Sequence, residues 1–490
     1  MIDVSQLIET LDAHPEWLLL RKGSRPFPLS RSEFSVHLSN EKLLFEFIDD
    51  QGHRSCRIAS SSINEDEVVL ETTGQFGSDI GSITLTPRVA ARVLTEEIRQ
   101  AREQIANDIA ALIATSFPGT KLERVSLNVD NGRIAQILYN TCDGPAAAVA
   151  DVTAKLDPES FLASAITWLE ALSARKKGPI LSINIIAEKP RAANLQKLHA
   201  LLNDKWRSKI SIIRIDRTGE SPRLQVLSSR KLSELWREKP RKLIRPDSEL
   251  PSKLARQIMS LSFNNIDSVN TRNGETLRFN GLQFARVRTV MKTERAWFGM
   301  NREMIPLTEA SRPKLSGLVG ELANYRTPEC TNLRHRYYKA SPEAWLESIL
   351  RRDVNQLDPN LFVSPVYNQF RSAGDKIDLL ALRNDGRLVL VEIKTSPDRT
   401  MPFQAAGYWR RIELQRRRGI LAEADLFEGR EIADVPTLVY LVAPAWSYHA
   451  DHERFAAMVS REIEMWRFEL HEDWRREIRV VGRSSAHHGV

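Results

Sequence analysis

The chain switches between runs of period two and runs of period near 3.6, and the switches divide it into blocks. Between Met1 and Pro87 a short helix signal precedes strand-like runs, among them Phe34-Ser35-Val36-His37-Leu38, Leu43-Leu44-Phe45-Glu46-Phe47 and Val68-Val69-Leu70-Glu71. Successive side chains of a strand point to opposite faces, so the pattern predicts half-buried strands, with Asp49-Asp50-Gln51-Gly52 as a turn. Residues 1–87 read as a small β-rich domain. No residue in it suggests chemistry, so a structural or docking role is expected.

From Arg88 to Ser116 apolar residues recur at helical spacing: Val93, Ile98, Ile105, Ile109 and Ile113. Strand-like runs follow at Val125 to Val129, Arg133 to Tyr139 and Ala146 to Val152, the first two joined by the hairpin turn Asp130-Asn131-Gly132. Ser160 to Arg175 reads as a helix, Ile180 to Ala187 as a buried strand, Ala192 to Asn203 as a helix and Ile210 to Ile215 as a strand. Residues 88–220 therefore predict an α/β domain. The same element order recurs further on, but this block lacks an Asp…Glu-x-Lys set. A generic α/β domain is the expectation, with a degenerate copy of the later domain as the alternative.

Residues 221–253 form a basic stretch holding Arg230, Lys231, Arg237, Lys239, Arg241, Lys242 and Arg245 around Trp236. A solvated connection is the plainer reading, and a nucleic-acid contact through Arg241 and Lys242 the functional one. Residues 254–330 mix a helix signal, the hairpin signal Thr271-Arg272-Asn273-Gly274 and helical spacing at Leu315, Leu318 and Leu322, and read as a mixed linker domain. Residues 331–483 form the last domain and 484–490 a loose tail. The fold class is α/β, multidomain.

Composition narrows the function. A net charge of +7 mildly favours a polyanionic partner. The three cysteines lie far apart with no CxxC pair, which speaks against a zinc or disulfide framework and for a reducing, cytoplasmic setting. No apolar run approaches the roughly 20 residues of a membrane span, and the acidic N-terminus is unlike a signal peptide. No GxxxxGK[ST], GxSxG or HExxH motif is present. His449 and His452 have metal-like spacing but no third ligand nearby, and read as surface residues.

The chemistry concentrates between Asp378 and Tyr408. Leu388 to Val391 is continuously apolar, as in a strand buried on both faces, and Glu392 and Lys394 follow on a single face. Gly374 to Leu382 is a second apolar run with Asp378 near its start, and Asn384-Asp385-Gly386 joins the two as a hairpin. Counting outward from the turn sets Asp378 beside Glu392 and Lys394. Adjacent carboxylates repel unless a cation lies between them. Mg²⁺ takes oxygen ligands at about 2.1 Å, and Asp378, Glu392 and the Ile393 carbonyl could provide them. Lys394 could then orient or help deprotonate an attacking water and offset charge on a phosphate.

Asp378, a gap of about 14 residues, and Glu392-Ile393-Lys394 resemble the PD-(D/E)xK nuclease superfamily. The resemblance covers roughly residues 337–483 and implies a restriction-endonuclease-like αβββαβ core. It implies that Asp378 and Glu392 hold Mg²⁺ or Mn²⁺ and that Lys394 is the catalytic lysine. Many members carry a glutamate on the first core helix; Glu347 is the best match here and Glu343, one turn earlier, the second. Gln404-Ala405-Ala406-Gly407-Tyr408 resembles the QxxxY element of recombination-type members, where Gln404 and Tyr408 share a helix face. Arg410, Arg411 and Lys376 are candidate phosphate contacts. The implied function is metal-dependent cleavage of DNA, with RNA left open, in repair, restriction or phage defence. A catalytically silent nucleic-acid-binding or scaffold protein is the rival. The N-terminal domains are open to forming a homodimer or docking a partner protein.

Overall fold

The computed structural model describes residues 4–21, 26–39, 42–49, 52–64, 67–73, 80–88, 91–176, 178–217, 221–240, 251–271, 274–290, 293–300, 304–364 and 377–486. They fall into two units, Met1–Ala101 and Arg102–Val490. The first unit holds the helix Val4–Asp12 and a seven-stranded antiparallel sheet between Glu16 and Pro87. Trp17, Phe45, Phe47, Leu70 and Leu85 form its apolar core, which follows from the period-two pattern of the sequence.

The second unit contains two six-stranded mixed sheets. In the first, β1 (Lys121–Leu127), β2 (Ile134–Thr141) and β3 (Gly144–Asp151) form an antiparallel meander. Helix α2 (Pro158–Ser173) leads to β4 (Ile183–Glu188), parallel to β3. Helix α3 (Lys189–His199) leads to β5 (Ile210–Asp216), parallel to β4, and β6 (Arg223–Val226) closes the edge antiparallel. Helix α1 (Ala91–Ser116) covers the outer face through Ala106, Ile109 and Ile113.

The last sheet repeats this plan. Helix α4 (Pro342–Arg352) precedes the meander β7 (Leu361–Val363), β8 (Leu379–Arg383) and β9 (Leu388–Ile393). Helix α5 (Met401–Arg417) leads to β10 (Leu438–Pro444), parallel to β9. Strand β11 (Met465–Leu470) is parallel to β10, and β12 (Val480–Ser485) closes the edge antiparallel. Both sheets have sequential strand order and the same pattern of parallel and antiparallel neighbours. Odd residues of β9 (Val389, Val391, Ile393) face α4; Leu388 and Leu390 face α5 and share one continuous core with Ala147 and Val149. The two sheets therefore meet through their helix-covered inner faces. At about 25 cal/mol for each Å² of apolar surface buried, this shared core is the main force fixing α5 over β9.

A five-stranded antiparallel sheet between Ile266 and Pro306 is joined to α4 by ion pairs of Glu347 and Arg351. Arg326, fully buried, donates to the carbonyls of Phe279, Asn280, Tyr337 and Ala340, stitching that sheet to the segment entering α4. Gly281 turns there with φ +79°, and a Cβ would collide with the Ala344 carbonyl.

The structure departs from three expectations. Ser484 and Ser485 are not tail: they pair with Arg467 and Trp466, and Ala486 is buried. His452 is not a surface residue: it is 1% exposed, its ring edge-on to Tyr448, and burial pushes its imidazole down to about 4. Part of the basic stretch is packed: Trp236 lies edge-on to Trp409, and Glu238 receives Arg410 and Lys197, each at 3.0 Å. Among the described residues no helix is long and apolar enough to cross a membrane.

Candidate active site

Every residue of β9 is buried, because it is a central strand covered on both faces. The hairpin turns at Gly386, whose φ of +81° suits a residue without Cβ. Leu379 pairs with Val391, and continuing that register sets Asp378 across from Glu392. Directly opposed side chains of an antiparallel pair have Cβ atoms roughly 4.5–5.5 Å apart. The Asp378 carboxylate also accepts a hydrogen bond from the Ile393 N–H at 2.8 Å, while the Lys394 N–H donates to the Val442 carbonyl at 3.0 Å. The N–H and C=O of one strand residue point to the same edge, so the Ile393 carbonyl lies on the Asp378 side.

Glu392 is 2% exposed. One carboxylate oxygen accepts from the Lys394 ammonium at 3.0 Å; the other, Oε2, has no hydrogen-bond partner among the described residues. Burial first, and then the negative charge of Asp378, push the Glu392 carboxyl well above the usual range against the pull of Lys394. Burial alone would lower the ammonium of Lys394. The adjacent Glu392, with Glu343 and Asp378 behind it, outweighs that and holds it above its ordinary value. Asp398 stands 3.8 Å from the same nitrogen. The Tyr408 phenol is pushed up to about 12 by burial and by the charges of Glu392 and Asp378, so it keeps its proton.

Glu413 shows what a buried structural glutamate looks like in this fold. Its carboxylate, fully buried, receives Arg416 at 2.6 Å, Arg417 at 2.8 Å and both the N–H and hydroxyl of Thr437. Burial pushes it up, but those donors more than reverse this and hold it below the ordinary value. Glu392, equally buried, has a single donor among the described residues and a raised pKa. Perturbed carboxyls of this kind concentrate at functional sites.

The other expected residues divide. Glu347 is buried but turned to the neighbouring sheet, 3.5 Å from Arg278, which also meets Asp267 at 3.4 Å. Glu343, one turn earlier on α4, is the helix acid whose charge acts on both Glu392 and Lys394. Gln404 lies on α5, half-buried, as does Tyr408 one turn on, with the Arg411 guanidinium 5.1 Å over the Tyr408 ring. Arg410 is 14% exposed and paired with Glu238, which makes it a brace to the first sheet and not a solvent-facing phosphate contact. Lys376, Arg241 and Lys242 lie outside the described residues.

One neighbour was missed. Glu159, on α2, approaches α5 beside Gly407, where an added Cβ would stand 3.7 Å from its Oε1; Arg411 is among the charges acting on it. Its contact arises only when the two sheets pack, so no local pattern could announce it. Arg399 likewise donates to Ser164 of α2 at 2.9 Å.

Among the described residues no group of three or more His, Cys, Asp or Glu side chains is placed to hold a metal ion. The donor set here is two carboxylates and a backbone carbonyl beside a lysine, which suits a hard cation that completes its shell with water and phosphate oxygens. No family model matches the chain, and comparison with curated proteins and with solved structures gives no match.

Proposed function

We propose that this chain is a metal-dependent nuclease of the PD-(D/E)xK type, acting on DNA through Asp378, Glu392 and Lys394. The observation that carries the reading is the Glu392 oxygen that has no hydrogen-bond partner among the described residues, buried opposite Asp378 and beside Lys394. The element order α4, β7, β8, β9, α5, β10 supports it, being the helix, three strands, helix and strand of that superfamily's core.

A buried carboxylate with one unsatisfied oxygen fits a cation ligand, since a structural role would leave a costly orphan. Asp378, Glu392 and the Ile393 carbonyl would hold Mg²⁺ or Mn²⁺. Bound there, the ion would supply Lewis-acid polarisation of a phosphate and a water of lowered pKa. The chain's own residues do the rest. Lys394 is kept as an ammonium, so it donates to a phosphate oxygen or to the attacking water and offsets developing negative charge. Tyr408 keeps its phenolic proton and offers a second donor from α5. Gln404 shares that helix face and positions the phosphate; Glu343 adds negative charge that keeps Lys394 protonated.

The test incubates the protein with plasmid, linear and branched DNA, and with RNA, in Mg²⁺ or Mn²⁺, beside Glu392→Gln and Lys394→Ala. Cleavage that requires metal and vanishes in both variants is expected. DNA binding without cleavage under either metal would replace the enzyme with a scaffold.

A further inference from the structure

The two sheets of the second unit share more than strand order. Each has its first helix on the outer face and its second on the inner face, against the other sheet. They also touch at equivalent points. Leu202, between α3 and β5, bridges Val459, which precedes β11 in the last sheet. The Asn203 amide donates to the Met458 carbonyl and the Ser460 amide to the Leu201 carbonyl, each at 2.8 Å. The reciprocal pair is that of an antiparallel bridge, and it joins the connection before β5 in one sheet to the connection before β11 in the other.

The register then identifies what stands in the first sheet where the site stands in the last. The Ile183 amide bonds the Lys209 carbonyl just before β5, as the Val439 amide bonds the Glu464 carbonyl just before β11. Ile183 pairs with Ala147 and Val439 with Leu390. Two residues further, Val149 occupies the place of Glu392. Gln136, across from Val149, occupies that of Asp378. Asp151, in the place of Lys394, is tied to Arg191 and to the Thr153 and Leu156 amides. An apolar residue, an amide and a neutralised acid cannot assemble a cation site.

Resting on the nuclease reading of Asp378, Glu392 and Lys394, we propose that residues 102–226 are a silent second copy. The chain is then a self-contained pair with one working site that nicks duplex DNA. The silent copy occupies the position a second subunit would take and presents Glu159 and Ser164 to the helix and loop that flank the site. Each turnover adds one water across one phosphodiester: the water oxygen bonds to phosphorus, one P–O ester bond breaks, and the departing oxygen takes a proton. One site therefore opens one strand per encounter.

Sedimentation of the full chain and a supercoiled-plasmid time course test this together. The mass should be the monomer's 55.8 kDa, open circles should accumulate first order in protein, and linear DNA should lag as a second independent hit. Gln136→Ala should leave the nicking rate within about twofold, as substitutions away from a site do. A dimer mass, or linear DNA formed as fast as open circles, would overturn the single-site inference while leaving the nuclease intact. Absence of cleavage under any metal would sink the nuclease reading and nicking with it, and the mass would still decide whether one chain suffices.

Discussion

The contrast between Glu392 and Glu413 yields a measurement that separates a functional carboxylate from a structural one. Both are almost wholly buried, so solvent exposure does not distinguish them. Glu413→Gln strips the charge that neutralises Arg416 and Arg417 and replaces one accepting oxygen with an amide NH2, a donor set against the donors of Thr437 or the arginines. Removing one partner of a buried ionic network costs about 3–5 kcal/mol. Glu392→Gln removes a carboxylate that burial and Asp378 already disfavour, satisfied by one donor. Lys394 keeps Asp398 at 3.8 Å, so the cost in chelator should stay within about 1 kcal/mol, as for sites held for function and not for stability. With Mn²⁺ at 100 times its dissociation constant the native protein should gain about 2.7 kcal/mol, and Glu392→Gln should gain none. Denaturant titrations of the three proteins, with EDTA and with Mn²⁺, read all of these values. If Glu392→Gln in EDTA proves as damaging as Glu413→Gln, or if Mn²⁺ stabilises it like wild type, Glu392 is a structural ion-pair member and the reasoning fails.

Further outcomes follow from the same geometry. The raised carboxyl of Glu392 makes its stability contribution complete below the unfolded value of 4.5 and lost as pH climbs through the higher folded value. In EDTA the melting temperature of wild type should therefore fall relative to Glu392→Gln over that interval. Metal affinity should rise over the same interval, because the ligand must shed its proton; parallel melting profiles would show that the carboxyl is not shifted. Gly281→Ala combines left-handed backbone with a collision against the Ala344 carbonyl, next to Glu343. It should cost about 2–4 kcal/mol and lower the cleavage rate more than DNA affinity; an unchanged melting temperature would show that α4 is not held there.

The placement of Glu347 gives the third sheet a role. Its carboxylate and Arg351 engage Arg278 and Asp267, while Arg326 seals the junction from the other side. Helix α4 is thus clamped to that sheet on one face and to β9 on the other. A rigidly held helix is what Glu343 requires if its charge is to act on Lys394 at a fixed position.

The sequence by itself determined the local pieces of the site. The turn at Asn384-Asp385-Gly386, the unbroken apolar run before Glu392 and the two-residue spacing to Lys394 dictate a hairpin with Asp378 opposite Glu392, because hairpin register and strand alternation are short-range geometry. Periodicity also announced helices at α1, α2 and α3, the order of elements in the first sheet, and the apolar face of the N-terminal strands, while the resemblance implied the helices α4 and α5. Tertiary structure decided what those pieces face. Glu343 and Glu347 lie on one face of the same helix, and only the docking of a distant sheet, with Arg278, assigns one to an ion pair and leaves the other near the lysine. Arg410 looked like a phosphate contact until Glu238 was brought to it, and His452 looked exposed until β10 and β11 closed around it. The docking of the two sheets onto each other was hidden for the same reason. Apolar periodicity specifies which residues are buried but not against what, and the pairing of Leu202 with Val459 is fixed by shape and hydrogen bonding across hundreds of residues of chain.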